Sequence, residues 1–161
     1  MGADHAPPTP AASPPPSDPF RLQRFVDAQD GVYERALGEL RAGRKRTHWI
    51  WFVFPQLTQL GRSATARHYG ISGLAEARAY LAHPVLGPRL RECTRLVGAV
   101  EGRSVEEVFG YPDYLKVRSC MTLFAHATED DRDFVAVLDV QYGDFPDGRE
   151  DPATLELLAG E

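Results

Sequence analysis

The chain has 161 residues, of which 43% are hydrophobic and 25% are charged, and its formal net charge is −5. This composition is ordinary for a globular protein, so it excludes a globally disordered chain and provides the apolar residues for one core. The negative net charge argues against a general binder of nucleic acids.

Signals for a membrane, a metal or export are missing from the sequence. No run of 18 apolar residues predicts a membrane span, and the N-terminus lacks the basic-then-apolar pattern of a signal peptide. The two cysteines, Cys93 and Cys120, are in no metal-like spacing. We therefore expect a cytoplasmic protein without a metal or cofactor, and a monomer by default.

The N-terminal end differs in composition from the rest of the chain. Residues 1–17 hold six of the thirteen prolines and offer almost nothing to bury, so we predict a disordered tail there and a single folded domain over residues 18–159. Asp18 and Pro19 are typical of a helix start, with the proline at the first helical position. A second helix is indicated over residues 31–42.

Residues 48–55 are rich in aromatic and β-branched side chains. This composition permits a strand, but the segment is too short to distinguish a strand from a buried turn of helix. Both structures therefore remain open at this stage.

Amphipathic helices are predicted along the rest of the chain. Residues 74–82 are helical in composition, and apolar residues recur every three or four positions over residues 86–100. Ser104 and Glu107 have the spacing of a capping box. Further helices are indicated by two stripes and by a segment that follows a capping Asp151, namely Tyr114, Val117, Met121 and Phe124, then Phe134, Val137 and Leu138, then residues 152–158. These patterns predict an all-α domain of six or seven short helices with at most one strand.

The first candidate site is residues 43–51, where three basic side chains precede a histidine and both tryptophans of the chain. This pattern suits a nucleotide, because bases stack on aromatic rings while cations bind phosphate. Its candidate ligand-binding residues are Arg44, Lys45, Arg46, Trp49 and Trp51, and His48 is a candidate acid or base. The alternative is that both tryptophans lie in the core behind a solvated basic loop.

The second candidate lies on the helix that follows residue 112. Ser119, Thr122 and His126 share a helical face distinct from the apolar stripe, and such a row lines a pocket or faces water. Asp113 and Ser119 are candidate catalytic residues, and Lys116 and Thr122 are candidate ligand-binding residues. A helix cap is the alternative role for Asp113.

A third candidate is a loop that follows the aromatic segment. Gln56 lies here with Arg62, Ser63 and Tyr69. Loops with glycine, serine and arginine can hold anions on backbone donors. Gln56 is therefore a further candidate ligand-binding residue.

Charge is distributed unevenly along the chain. Residues 129–161 contain eleven acidic residues and two arginines, whereas residues 41–46 contain a compact basic run. Two solvated faces would explain this distribution, and so would a non-catalytic protein-interaction module with a basic and an acidic face.

Four of these segments together resemble the bacterial proteins called the domain of unknown function 1810 family. The segments are residues 24–29, residues 43–56, residues 83–90, and Phe109-Gly110 with Asp113, Lys116 and residues 119–124. The likeness extends over residues 18–158. It implies a compact all-α fold and no established activity, and Arg118 departs from the residue expected at its position.

A more distant likeness is to helical proteins that process ADP-ribose and related riboside phosphates. It implies a small nucleotide-like or ADP-ribose-like ligand, as the basic and aromatic run also does. A cytosolic protein that binds or processes such a ligand is our preferred hypothesis, and the protein-interaction module is the alternative.

Overall fold

Ten α-helices and one 3-10 turn, Thr58–Leu60, occur within residues 18–161. The structure, a computed structural model, describes residues 18–161, so the tail predicted over residues 1–17 lies outside the described residues. The helices are α1 Gln23–Gln29, α2 Tyr33–Arg41, α3 Ile50–Val53, α4 Ala64–His68, α5 Leu74–Ala82, α6 Leu86–Ala99, α7 Val105–Phe109, α8 Asp113–His126, α9 Arg132–Tyr142 and α10 Pro152–Ala159.

The all-α class is the one predicted, but the number of helices is larger than six or seven. The helices α3, α4 and α7 have four, five and five residues. An element of one turn contributes too few positions to show a period of 3.6 residues, so it escapes a search for apolar stripes.

The segment 48–55 contains a turn of helix, α3 (Ile50–Val53), rather than a strand. No strand occurs within residues 18–161, and the β-like pairing there is an isolated parallel bridge between Leu57 and Ile71. The amide of Ile71 donates to the carbonyl of Gln56, and that of Thr58 donates to the carbonyl of Ile71, each over 2.9 Å. This bridge holds the loop after α3 against the loop after α4.

The first helix starts later than predicted. The Asp18 carboxylate does accept hydrogen bonds from the backbone amides of Leu22 and Gln23, over 2.6 and 3.0 Å. However, residues 18–21 form a turn in which Arg21 has a φ of 57°. A left-handed residue interrupts a right-handed helix, so Pro19 is not the first helical residue and α1 begins at Gln23.

The predicted stripe over residues 86–100 is confirmed from Leu86 to Val97 as the buried face of α6, whereas Val100 follows the helix and is partly exposed. Leu86, Leu90, Cys93 and Val97 are at most 2% exposed, and α6 packs against α2, α5 and α9. None of the helices within residues 18–161 combines the length and the apolar character that crossing a membrane requires.

The central helix is α8, which contacts α3, α5, α7, α9 and α10. Residues 117–124 of α8 are all buried, so polar side chains on its second face are covered as well. The predicted capping box of Ser104 and Glu107 starts α7. In contrast, Asp113 is the first residue of α8 and makes no capping hydrogen bond.

Candidate functional site

Polar side chains from four separate segments of the chain line one surface cavity of about 630 Å³. We call it the polar cavity. Its polar lining comprises Gln56 after α3, Arg62 and Ser63 before α4, Lys116 and Ser119 of α8, and Asp151 before α10. The convergence of polar groups from distant segments on one concavity is typical of a ligand site.

Lys116 brings positive charge to the polar cavity. Its Nζ lies 3.7 Å from Oδ1 of Asp113 and 5.4 Å from the centre of the Trp51 ring. Asp113 is bound more closely by Lys45, whose Nζ lies 2.8 Å from Oδ2 and whose side chain is 7% exposed. Since one carboxylate faces two ammonium groups, one positive charge remains uncompensated in this cluster and can attract an anion.

The rim of the polar cavity adds a second cation and an aromatic ring. Arg62 is exposed, and the neighbouring Ser63 caps α4 by accepting a hydrogen bond of 3.1 Å from the amide of Ala66. Tyr111 is 80% exposed, although it lines the cavity. Its ring is therefore accessible for stacking against a planar ligand.

The polar face of α8 holds the start of α10. The Ser119 hydroxyl lies 3.0 Å from Oδ2 of Asp151, and the Thr122 hydroxyl accepts a hydrogen bond of 2.9 Å from the Asp151 amide. Both hydroxyls also contact a backbone carbonyl one turn earlier in α8. Thr122 is completely buried, so the prediction that it contacts a ligand is corrected to a structural role. His126, on the same face, is exposed and lies 2.6 Å from Glu150.

Glu39 of α2 holds the backbone and one tryptophan of residues 43–51, the basic and aromatic run. Its Oε1 accepts hydrogen bonds from the Arg46 amide, the Thr47 amide and the Trp49 Nε1, over 2.7, 3.0 and 2.9 Å. Burial raises the pKa of Glu39, but these bonds and one from the Thr47 hydroxyl outweigh it and lower the pKa to about 2. Trp49 is completely buried. It cannot stack on a ligand, and this part of the prediction is corrected.

The rest of the basic and aromatic run is divided between the surface and the cavity. Arg44, Arg46 and His48 are exposed and are not among the residues that line the polar cavity. Lys45 points inward to Asp113, and Trp51 is partly buried beside Lys116. The structure therefore connects only Lys45 and Trp51 of this run with the polar cavity, Lys45 through Asp113 and Trp51 by its contact with Lys116.

Arg118 of α8 holds the segment between α9 and α10 in place. Its side chain is 4% exposed and lies 2.7 Å from Oδ1 of Asp147. It also donates to the carbonyls of Gly148 and Arg149, and it lies over the Phe145 ring. Arg118 is therefore part of the scaffold that positions Asp151.

Sequence reasoning placed five of the polar residues around the cavity in candidate sites and missed two. Gln56, Lys116 and Ser119 line it as candidate residues. Arg62 and Ser63, which the third candidate contained, line the cavity as well, whereas Tyr69 of that candidate does not. Tyr111 was missed, although Gly110 and Pro112 on either side of it are typical of a turn, and turns lie at the surface. Asp151 was predicted only as a helix cap. Within residues 18–161, no three histidine, cysteine or carboxylate side chains are placed to hold one metal ion.

Comparisons with known proteins agree with the fold. A family model described as "Protein of unknown function (DUF1810)" matches residues 19–158, and no curated protein matches the sequence. The chain is similar to the crystal structure of the conserved hypothetical protein Rv1873 from Mycobacterium tuberculosis, with 61% identity and a TM-score of 0.85. That similarity covers 88% of this chain and 99% of the other. The chain therefore belongs to the DUF1810 family of proteins of unknown function.

Proposed function

We propose that the polar cavity binds a small phosphate-bearing ligand of the nucleotide or ADP-ribose type. The observation that carries the proposal is the convergence of Lys116 and Arg62 with uncharged polar groups on one concavity of about 630 Å³. Cavities of roughly 300–1,000 Å³ are usual for small-molecule ligands.

The phosphate of the ligand binds at Lys116 and Arg62. The ammonium of Lys116 is 3.7 Å from Asp113, which is long for a hydrogen bond and leaves its donors available. Arg62 is exposed, and a guanidinium can bind a phosphate through two parallel hydrogen bonds. The two side chains come from different segments, so together they fix the position of the phosphate along the cavity.

The base of the ligand stacks on Tyr111. This ring takes the role that the sequence suggested for Trp49, which is buried. Stacking on an aromatic side chain contributes about 1–3 kcal/mol per base. Trp51 lies next to Lys116, so its fluorescence should report the arrival of an anion at the ammonium.

The alternative, a module with separate basic and acidic faces, receives less support from the charges. Arg91 and Arg95 both pair with Asp133, at 3.6 and 3.1 Å. Arg118 pairs with Asp147. Part of the acidic charge of residues 129–161 is therefore compensated within the chain.

Titration with AMP, ADP-ribose and inorganic phosphate tests the proposal, with tryptophan fluorescence and isothermal titration calorimetry as readouts. We expect a saturable change in emission that disappears in Trp51→Phe, while calorimetry still detects binding to that variant. Lys116→Met should weaken binding about tenfold or more, because a charge-assisted hydrogen bond is lost. Added salt should weaken binding as well.

The matched control is Arg78→Ala. Arg78 is an exposed arginine on α5 that does not line the polar cavity, so its removal changes the net charge by the same amount and should leave the affinity unchanged within about twofold. Absence of calorimetric binding at millimolar ligand, or equal weakening by Lys116→Met and Arg78→Ala, would contradict the proposal.

A further inference from the structure

The two carboxylate oxygens of Asp151 have different surroundings. Oδ2 accepts hydrogen bonds from the amide and hydroxyl of Thr154, over 3.1 and 2.5 Å, and contacts the Ser119 hydroxyl at 3.0 Å. No donor within residues 18–161 makes a hydrogen bond to Oδ1. Oδ2 therefore stabilises the fold, and Oδ1 is left to accept a hydrogen bond from a ligand.

Asp151 also has no counterion within residues 18–161. Lys116 and Arg62 line the same cavity, yet neither of them lies within 4.0 Å of the Asp151 carboxylate as an ion pair. The polar cavity thus has a positive region and a separate negative one. Groups of opposite charge that do not neutralise each other can bind two different parts of one ligand.

The negative region restricts the class of ligand. A second phosphate placed beside Asp151 would be repelled, because like charges at close distance oppose each other. A hydroxyl group instead donates a charge-assisted hydrogen bond to a carboxylate oxygen. The complementary ligand therefore carries a phosphate close to a group with free hydroxyls, which describes the pentose of a nucleotide.

We propose that Asp151 accepts a ribose hydroxyl through Oδ1, so that the polar cavity selects ribonucleotides over their deoxy analogues. The inference rests on the proposed nucleotide binding and adds the chemical feature that is selected. Asp151 is thus both the cap of α10 and a specificity-determining residue, with one oxygen for each role.

The test compares AMP with 2′-deoxy-AMP and 3′-deoxy-AMP by calorimetry on the wild type, Asp151→Asn and Asp151→Ser. Asparagine and serine are both good helix caps, so each variant preserves the start of α10 while removing the second carboxylate oxygen. We expect at least one deoxy analogue to bind the wild type about tenfold more weakly than AMP does. In Asp151→Ser, which has no second polar atom, the affinities for AMP and for both deoxy analogues should agree within about twofold. In Asp151→Asn the preference for AMP should fall, because a neutral amide replaces the charged acceptor.

The outcomes separate this inference from the proposed function. If AMP and both deoxy analogues bind the wild type equally, selection by Asp151 is excluded while nucleotide binding stands. If the preference for AMP persists in both variants, another residue accepts the hydroxyl and the inference is wrong. If none of the three nucleotides binds at millimolar concentration, the proposed function fails and the inference with it. Thermal unfolding verifies that the variants are folded, and Asp151→Ser decides the test if Asp151→Asn is not.

Discussion

The carboxylate of Glu39 accepts a hydrogen bond from the indole Nε1 of Trp49, with 2.9 Å between the two heavy atoms. Its second oxygen accepts one from the Thr47 hydroxyl over 2.7 Å. A side chain of α2 therefore determines the conformation of the loop that carries Arg46 and His48. In residues 43–51, the most distinctive motif of the sequence, Trp49 thus has a structural role. Lys45 and Trp51 are the residues of this motif that lie near the polar cavity.

Glu39→Gln should lower the free energy of unfolding by about 1–3 kcal/mol, because an amide replaces a charged acceptor of several hydrogen bonds. Urea denaturation followed by tryptophan emission measures this change. The control is Glu34→Gln, an exposed residue on the same helix, for which we expect less than about 0.5 kcal/mol. Equal effects of the two substitutions would show that the hydrogen bonds of Glu39 contribute little.

The contribution of Glu39 to stability should depend on pH. Its pKa is lowered from 4.5 to about 2 in the folded protein, so between these values the unfolded state binds more protons. The stabilisation is then fully present above about pH 4.5 and is lost as the pH falls towards 2. Denaturation at a series of pH values should show the difference between wild type and Glu39→Gln shrinking over this interval. A difference independent of pH would be inconsistent with the lowered pKa.

Leu90→Ala should cost about 2–5 kcal/mol, as expected for a leucine removed from a well-packed core. Leu90 is 1% exposed on the buried face of α6, whereas Val140 of α9 is 73% exposed. Val140→Ala is therefore the control, with an expected change below about 0.5 kcal/mol. Chemical denaturation measures both, and a small effect at Leu90 would mean that its face of α6 is not buried.

Arg118→Met should destabilise the segment between α9 and α10 by about 1–3 kcal/mol, because the carbonyls of Gly148 and Arg149 lose their donor. Methionine retains much of the packing against Phe145. Arg149→Met breaks a more exposed ion pair with Asp139 and should cost less than about 1 kcal/mol. Limited proteolysis combined with denaturation distinguishes the two. Unchanged protease resistance in Arg118→Met would remove Arg118 from the scaffold of the polar cavity.

Long helices and the capped short helix α7 could be predicted from the sequence, whereas the short helices α3 and α4 could not. The stripe from Leu86 to Val97 has enough repeats to define a period, and Ser104 with Glu107 makes a local pattern that needs no tertiary information. In contrast, α3 is one turn whose aromatic residues also suit a strand. In the folded protein α3 is helical and packs against α1 and α8. The sequence does not reveal these contacts.

In the candidate site, too, relationships within one helix could be predicted, whereas those that depend on tertiary packing could not. Lys116 and Ser119 share one helix, so their proximity follows from spacing, whereas Asp151 reaches them only because α10 packs on α8. For Trp49 the sequence suggested a ligand contact at a residue that the fold encloses. An aromatic residue beside cations suits a nucleotide equally well whether it is exposed or buried, and only the tertiary fold shows that Trp49 is enclosed.

Because Ser119 and Thr122 of α8 form hydrogen bonds with Asp151, binding of a ligand in the polar cavity should be coupled to the packing of α10 on α8. Asp151 and Ala153 belong to the wall of the polar cavity, so a local opening that detaches residues 151–159 would abolish the site while α6 and α9 stay packed. A ligand at 100 times its dissociation constant would oppose that opening by about 2.7 kcal/mol. Amide hydrogen exchange should then slow in α10 when the cavity is filled, although the cations that attract the ligand belong to other segments.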